Sequence, residues 1–508
     1  MNGAELLLGA AALERHGSRT ALICGEETLS FSQLAAFVAR AAAAFAARGV
    51  RPGDRVLILM RDTPEFAAAW LGAVRAGAVP VALNDRLSDA DYRHILADSG
   101  ARLALIEDVF AAGRPDLTAE LAREQRIVIA GAASGLPSWR KALEEARAMP
   151  AFQAASETPA FLLYSSGTTG RPKGIVYLHR LFVSLGFALR VLGLGEGDRV
   201  FTTSKFFFAY GLEHGLLGTL AVGAASIVCP GWPDERAVID IAARYQPAAL
   251  FSVPTIYRRL LAEPRAALAP LSRVQRHIAA GERVSPQLVQ QWHEAVGVEL
   301  LNLYGMSETF CACMMTPPGA SNGMRTGRPF PGVELRLRDA AGNEPAGGEP
   351  GVLWIRHPAQ ASGYANRPEQ TREQFSGGWF CSRDLFTRDA EGYYVHQGRS
   401  DELLKIAGQW VQPAELEAVA AAEETVGEAA CVPVPDTDGL ERLALFVRAN
   451  GDAAAAQRAV VEACERALPR HKRPKWVRTV DELPRTATGK VQRFKLREIL
   501  ARELAGKD

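Results

Sequence analysis

The sequence lacks the features that mark several special classes of protein. Its seven cysteines form no C-x-x-C pair and its nine histidines show no metal-ligand spacing, which argues against a disulfide framework or a zinc site. No apolar run is long enough to span a bilayer, and the N-terminus has acidic residues within its apolar stretch, unlike a secretory signal. With 58 basic and 57 acidic residues, it has no charge excess suited to nucleic acid. We therefore expect a reduced, cytoplasmic protein with free thiols.

The 508 residues are enough for roughly three domains of about 150 residues each. Helix and strand patterns alternate over residues 29–150 and 199–304, which predicts an α/β fold with two doubly wound sheet layers. From about residue 331 the strands become short and alternating, which predicts a small β-barrel-like subdomain. We place a domain boundary near residue 399. Residues 1–399 then form a large N-terminal domain, and residues 400–508 form a small α+β domain.

Residues 164–174 read Tyr-Ser-Ser-Gly-Thr-Thr-Gly-Arg-Pro-Lys-Gly and follow a buried-strand pattern over residues 160–164. Glycines allow close approach to an anion, and hydroxyls with backbone N–H groups can donate to phosphate. The segment is not a Walker loop, because no Lys-Ser or Lys-Thr follows a Gly-x-x-x-x-Gly. On composition alone, a flexible connector also remains open. The candidate phosphate ligands are Ser165, Ser166, Gly167, Thr168, Thr169 and Lys173.

Five later segments carry further candidates, and each is ordinary when taken alone. They are the strand-end turn 280–282, the segment Tyr-Gly-Met-Ser-Glu-Thr at 304–309, the loop Ser-Arg-Asp-Leu at 382–385, the charged linker 398–408 and the Gly-Lys turn within 484–493. A tyrosine can stack on a purine, and a carboxylate can hold Mg²⁺ together with phosphate oxygens or accept ribose hydroxyls.

In this order, the six segments resemble the signatures of the adenylate-forming superfamily: acyl- and aryl-CoA synthetases, luciferases and adenylation domains of peptide synthetases. The resemblance implies ATP, Mg²⁺ and CoA as cofactor or co-substrates, and it covers about residues 29–496. It implies Glu308 as a catalytic residue that holds Mg²⁺ through phosphates, although Ser307 stands where threonine is usual. The other nucleotide-binding residues that it implies are Gly281, Glu282, Tyr304, Ser307, Asp384 and Arg399.

The resemblance also implies a mobile C-terminal domain that carries the catalytic lysine, Lys490, which also contacts nucleotide. Asp401 would be the hinge residue, and Gly408 would line the CoA thiol tunnel. Removal of the Lys490 charge by acetylation would block adenylation, so a protein lysine acetyltransferase is a candidate partner. The sequence leaves the oligomeric state open, a homodimer included.

Residues 204–212 and 486–497 resemble the benzoate-CoA ligase branch in particular. Aromatic walls with small residues favour a flat aryl acid over a long acyl chain. We expect an aryl acid-CoA ligase, with benzoate, hydroxybenzoate, aminobenzoate and furoate all open. Where that branch has histidine, this chain has Cys311. The candidate substrate-binding residues are Ala209, Tyr210, Ala280, Gly281, Gly305 and Cys311.

Two other functions remain open from the sequence. One is an adenylation enzyme that loads a carrier protein rather than CoA, and the other is a non-catalytic AMP-binding sensor. A sensor need not keep Lys490, Glu308 and Asp384 together, so their presence favours an enzyme.

Overall fold

The computed structural model describes residues 1–132, 135–147, 149–166, 171–310, 312–400, 404–406, 409–436, 440–485 and 491–504. The chain divides into two compact units. Unit 1 comprises Met1–Arg336, Trp354–Cys381 and Asp389–Val395. Unit 2 comprises Leu337–Leu353, Ser382–Arg388 and His396–Asp508.

The strands, numbered in chain order, are β1 (Thr20–Cys24), β2 (Glu27–Ser30), β3 (Arg55–Leu59), β4 (Val79–Ala82), β5 (Leu103–Glu107), β6 (Ile127–Ala130), β7 (Pro159–Ser166), β8 (Pro172–Leu178), β9 (Arg199–Thr202), β10 (Ala225–Ile227), β11 (Ala249–Ser252), β12 (Arg276–Ala279), β13 (Leu300–Gly305), β14 (Ala312–Met315), β15 (Arg328–Pro329), β16 (Glu334–Arg338), β17 (Gly351–Arg356), β18 (Gly363–Tyr364), β19 (Phe375–Ser376), β20 (Trp379–Arg388), β21 (Tyr394–Arg399), β22 (Leu404–Ile406), β23 (Gln409–Val411), β24 (Val426–Pro435), β25 (Glu441–Ala449) and β26 (Trp476–Thr479).

The α-helices are α1 (Gly3–Leu8), α2 (Ala10–His16), α3 (Phe31–Ala47), α4 (Pro64–Arg75), α5 (Asp89–Ser99), α6 (Asp108–Ala112), α7 (Pro115–Arg123), α8 (Trp139–Glu145), α9 (Phe187–Val191), α10 (Ala209–Gly211), α11 (Gly218–Ala221), α12 (Glu235–Tyr245), α13 (Pro254–Leu261), α14 (Pro286–Val296), α15 (Pro368–Gln374), α16 (Pro413–Ala421), α17 (Ala453–Ala467) and α18 (Arg493–Leu504).

Helix starts follow the local sequence. Ser30 caps α3 and Ser88 caps α5, and in both cases the residue three positions later bonds back to complete a capping box. Thr63 caps α4, which has proline at its first position, where no N–H is needed. Local sequence signals thus mark the first residues of these three helices.

Unit 1 contains two large sheets. One has seven strands in the order β18-β8-β7-β4-β3-β5-β6, and the other has nine in the order β15-β14-β13-β12-β11-β9-β10-β1-β2. The pairs β3–β4, β3–β5, β9–β10 and β11–β12 are parallel, as alternating strands and helices require. The two sheet layers that the sequence predicts are present, and helix-covered apolar clusters fill them.

Short strands dominate residues 328–399, where five strands form a sheet of order β16-β17-β20-β19 with β21 beside β20. Unit 2 holds the three-stranded sheet β24-β25-β26, which packs with α16, α17 and α18 around two small apolar clusters. Among the residues described, no helix is long and apolar enough to cross a membrane.

Candidate active site

The candidate phosphate loop joins the two strands of an antiparallel hairpin. In the pairing of β7 with β8, Ser165 lies opposite Lys173 and Tyr164 opposite Gly174. A Walker loop leads into a helix, whereas this loop leads into a strand. Gly167, Thr168 and Thr169 lie outside the described residues, as does the side chain of Ser166.

A buried polar network fixes the base of this hairpin. The Tyr164 hydroxyl donates to Asp98 Oδ2 at 2.7 Å, and Arg367 Nη1 lies 3.3 Å from Asp98 Oδ1. Burial and the Asp98 carboxylate hold the pKa of Tyr164 well above its ordinary value, so its hydroxyl remains a donor. A Cβ on Gly174 would lie 3.0 Å from the Tyr164 ring, which explains the small residue there.

The structure brings two predicted site residues, Lys173 and Glu308, into contact. Lys173 Nζ lies 3.4 Å from Glu308 Oε1, and both side chains are 13% exposed. The same ammonium lies 3.8 Å from the centre of the Tyr364 ring, and the Tyr364 hydroxyl donates to Glu308 Oε1 at 2.7 Å. We call Lys173, Glu308 and Tyr364 the cation–carboxylate cluster. It orients one carboxylate oxygen and neutralises part of its charge.

Backbone geometry is unusual around Glu308. Ser307 and Glu308 lie in a short 3-10 turn after β13, and the Tyr177 hydroxyl donates to the Ser307 carbonyl at 2.6 Å. Tyr304 and Gly305 are the last two residues of β13. Phe310 has φ +57° and ψ −64°, a strained conformation held by its ring packing against Phe161 and Tyr177. Cys311 lies outside the described residues.

In the turn after β12, a glycine stands where the backbone has a positive φ. Gly281 has φ +84°, which disfavours side chains, and the Ala280 N–H donates to the Ser252 carbonyl at 3.1 Å. Glu282 is exposed and accepts from the Thr255 hydroxyl at 2.8 Å.

The same Ser252 carbonyl connects this turn to the predicted ring pocket. The Tyr210 hydroxyl donates to it at 3.2 Å, while Ala209 is buried beside Tyr210 at the start of α10. Burial raises the pKa of Tyr210 well above its ordinary value, so the phenol stays neutral. The structure thus brings together Tyr210 and Ala280, two predicted substrate residues that are 70 positions apart.

A buried ion pair that the sequence analysis did not assign lies just before this segment. Lys205 Nζ lies 2.9 Å from Asp62 Oδ2 and donates to three carbonyls, those of Cys229, Pro230 and Gly231. Burial raises the pKa of Asp62 to about 6, so the carboxylate is still charged at pH 7. The pair anchors the backbone from which Tyr210 projects.

His214, also not assigned from the sequence, follows Tyr210 by four residues. The helix there widens to a π-helical turn over Leu212–Leu217, and His214 Nδ1 lies 3.0 Å from the Tyr210 carbonyl. Such turns often occur at functional sites. Burial lowers the pKa of His214 to about 4.

In unit 2, Asp384 and Arg399 are paired. Arg399 Nη1 lies 3.0 Å from Asp384 Oδ1, and Asp384 is buried within β20 rather than exposed on a loop. Arg383, next to it, has φ +62°. Asp401, Gly408 and Lys490 lie outside the described residues.

The donor set suits a hard cation shared with phosphate. In the described part of the chain, no group of three or more His, Cys, Asp or Glu side chains could hold a metal ion. A largely buried carboxylate such as Glu308 fits Mg²⁺, which usually takes one or two carboxylates and completes its shell with phosphate and water.

Three residues of the site carried little sequence signal. Tyr364 is 56 positions from Glu308, and Asp62 is 143 positions from Lys205, so only the fold reveals these pairs. His214 could have been noticed, because a histidine four positions after the predicted ring residue Tyr210 lies on the same helix face.

Comparisons with known proteins agree with this architecture. Residues 10–365 match the AMP-binding enzyme family, and residues 415–490 match the AMP-binding enzyme C-terminal domain. The chain is 39% identical to a 3-hydroxybenzoate/4-hydroxybenzoate-CoA ligase of Thauera aromatica, over 98% of this chain and 97% of that protein. It is 37% identical to a benzoate-CoA ligase of the same organism, over 98% and 95%.

Solved structures give the same result. A benzoate-CoA ligase from Burkholderia xenovorans LB400 superposes with a TM-score of 0.88 at 33% identity, covering 98% of this chain and 100% of the other. An anthranilate-CoA ligase in complex with anthranoyl-AMP superposes with a TM-score of 0.90 at 31% identity, covering 99% and 98%. The chain therefore belongs to the AMP-binding enzyme family, in the benzoate-CoA ligase branch of the adenylate-forming enzymes.

Proposed function

We propose that this protein is an AMP-forming aryl acid-CoA ligase whose substrate is a hydroxybenzoate. The observation that carries the proposal is its identity of 39% to hydroxybenzoate-CoA ligases from two organisms, each over 98% of this chain. The Tyr210 segment supports an aromatic substrate, because a buried neutral phenol beside a small residue leaves a flat apolar wall.

The first step joins two anions. A carboxylate oxygen of the acid attacks the α-phosphorus of ATP, and the bond to pyrophosphate breaks. We assign Lys173 and the hairpin loop to the phosphates, and Lys490 to the carboxylate and α-phosphate, so that positive charge offsets the repulsion. Mg²⁺ held by Glu308 would neutralise further phosphate charge when it is bound. The further nucleotide contacts that we assign are Tyr304 and Ser307 in unit 1, and the Asp384–Arg399 pair for the ribose in unit 2.

In the second step the CoA thiolate attacks the acyl carbonyl, and the bond to AMP breaks. Lys490 is no longer needed once the adenylate exists, so we assign it to the first step only. In this proposal residues 400–508 form a separate mobile domain that turns about Asp401 and brings Gly408 to the thiol path.

The test is pyrophosphate release with ATP and Mg²⁺ across benzoate, 3- and 4-hydroxybenzoate, 2-aminobenzoate, 2-furoate, phenylacetate and octanoate, with and without CoA. We expect the highest kcat/KM for a hydroxybenzoate and CoA-dependent turnover. A peak on octanoate would contradict the ring pocket, and no release from any acid would favour an AMP-binding sensor.

A carrier protein is the second candidate acceptor, because the chain is also 29% identical to a fatty acid–[acyl-carrier-protein] ligase of Streptomyces coeruleorubidus. Replacing CoA by phosphopantetheinylated carrier protein in the same assay distinguishes the two acceptors. Turnover with carrier and none with CoA would overturn the CoA assignment.

Three further parts belong to the proposal. Acetylation of Lys490 by a protein lysine acetyltransferase would remove the charge needed in the first step. A cytoplasmic location is supported by the free thiols of Cys24, Cys229, Cys431 and Cys464. The assembly, for which we propose a homodimer, can be measured by light scattering.

A further inference from the structure

His214 has one ring nitrogen with a partner and one without. Its Nδ1 lies 3.0 Å from the Tyr210 carbonyl, and a carbonyl only accepts, so Nδ1 carries the proton of the neutral imidazole. Nε2 is then left with a lone pair. That atom is buried, and no hydrogen-bond partner for it exists among the described residues.

A buried acceptor without a donor is unfavourable, and the arrangement persists only where something else compensates. The residue is only 2% exposed, so bulk water does not hydrate Nε2. A ligand group placed beside this nitrogen would supply the missing donor.

The position of His214 indicates where that group comes from. Its ring centroid lies 5.0 Å from that of Tyr210, the predicted wall of the ring pocket, and 4.7 Å from that of Phe251. The Tyr210 hydroxyl donates to the Ser252 carbonyl at 3.2 Å. Tyr210 has therefore used its only proton and cannot donate it to a polar group on the substrate ring.

We propose that Nε2 of His214 accepts a hydrogen bond from a hydroxyl on the ring of the acid, which makes His214 the residue that favours hydroxybenzoates over unsubstituted benzoate. The inference rests on the proposed aryl-CoA ligase function and names the group that selects its substrate. Because burial holds the imidazole neutral, it stays an acceptor at physiological pH. An acid that lacks the hydroxyl leaves Nε2 unpaired and binds less well.

The experiment compares 3- and 4-hydroxybenzoate with the fluorobenzoates of the same ring positions, which are similar in size but cannot donate. His214→Phe keeps an aromatic ring and removes the acceptor, whereas His214→Gln keeps an oxygen that can accept. We expect the hydroxy-to-fluoro ratio of kcat/KM to fall about 10- to 100-fold in His214→Phe, mainly through the hydroxy acid, and to recover in part in His214→Gln.

His277→Phe is the matched control. His277 is also buried and also has a ring nitrogen without a partner among the described residues. It lies on β12, however, and packs against Tyr257 and Trp292. This control should lower stability and leave the substrate ratio unchanged. A ratio that stays within twofold of the original in folded His214→Phe would overturn the inference.

A second readout does not depend on turnover. In protein labelled with ¹⁵N-histidine, the Nε2 resonance of His214 should shift when the preferred hydroxybenzoate binds and not when its fluoro analogue binds. Equal shifts with both acids would also overturn the inference. If aromatic acids are activated but the hydroxy-to-fluoro ratio is the same with and without His214, only this inference fails. If no aromatic acid is activated, the proposed function fails as well.

Discussion

In the cation–carboxylate cluster, individual side-chain contacts orient the Glu308 carboxylate. Glu308 is positioned by two groups: the Lys173 ammonium at 3.4 Å, and the Tyr364 hydroxyl at 2.7 Å. The same hydroxyl also lies 2.6 Å from Gln374 Oε1, and since it has one proton it donates to only one of these two oxygens at a time. Groups that orient a metal-binding carboxylate commonly change metal affinity about 10- to 100-fold when they are removed.

Tyr364→Phe removes this hydroxyl but keeps the ring below Lys173. We expect the Mg²⁺ concentration for half-maximal pyrophosphate release to rise about tenfold, because Glu308 is no longer held in one orientation. Calorimetric titration with ATP should show weaker ATP binding in the variant when Mg²⁺ is present and unchanged ATP binding when it is absent.

Tyr92→Phe is the control for that variant. It removes a buried hydroxyl that donates to the Asn84 carbonyl at 2.6 Å. It should cost about 1 kcal/mol of stability and leave the Mg²⁺ requirement unchanged. If both variants change the Mg²⁺ requirement equally, Tyr364 has no particular role at Glu308.

At the scale of elements, caps and periodicity predicted much of the fold, whereas pairing could not be predicted. Helix α3 and strand β3 follow local patterns, and so do the caps of α5. The hairpin strand β8 was not predicted, because proline and glycine at its start weaken the strand pattern and its partner β7 defines it. The π-helical turn at Leu212–Leu217 was also missed, since it depends on packing rather than on periodicity.

In the candidate site, too, the sequence indicated residues but not the contacts between them. Motifs indicated Glu308 and Tyr210 as candidates, yet their partners Tyr364 and Ser252 come from distant segments. A single sequence contains no information on which side chains the fold brings together, apart from local spacing. The roles of the candidate residues remain predictions that the variants proposed here would test.

Gly211 sets the position of the element that carries Tyr210 and His214. A Cβ there would lie 2.3 Å from the Lys205 carbonyl oxygen and 2.5 Å from that of Ser204. Both obstacles are backbone, so in Gly211→Ala the start of α10 must shift. We expect KM for the aryl acid to rise about tenfold or more with unchanged ATP binding, measured by initial rates and calorimetry.

Gly195→Ala serves as its control. A Cβ at Gly195 would meet its nearest atom, the Val222 carbonyl oxygen, at 3.9 Å, an ordinary contact distance. The substitution should therefore change neither the KM for the aryl acid nor the KM for ATP. Equal KM values in Gly211→Ala and the unsubstituted protein would show that the pocket segment adapts to the extra methyl group.

At the scale of the whole molecule, the proposal separates the two half-reactions. Lys490→Ala should lower pyrophosphate release at least 100-fold, because its charge is needed only when the carboxylate meets ATP. Thioester formation from supplied aryl-adenylate and CoA should remain within a few-fold of the original rate. Lys495→Ala removes an exposed charge from nearby α18 and should affect neither step. Equal losses in both half-reactions would contradict the assignment of Lys490 to the first step.

Stability should also depend on pH through four buried histidines in unit 1. Burial lowers the pKa of His179, His214, His277 and His357 to about 4, below the ordinary value of 6.5. The unfolded chain binds more protons between these values, so this stability is fully present above pH 6.5 and is lost as the pH falls toward 4.

His277→Gln measures one of these contributions directly. Each histidine should cost about 1.4 kcal/mol of unfolding free energy per pH unit below 6.5, or about 2 kcal/mol at pH 5. The difference in stability between pH 7.5 and pH 5.0, from urea unfolding followed by tryptophan fluorescence, should therefore shrink by about 2 kcal/mol in the variant. His293→Gln, the same substitution at an exposed position of α14, is the control for the change of side chain. An equal pH dependence in His277→Gln and the unsubstituted protein would show that His277 takes up its proton without unfolding, and that the buried core admits the charge.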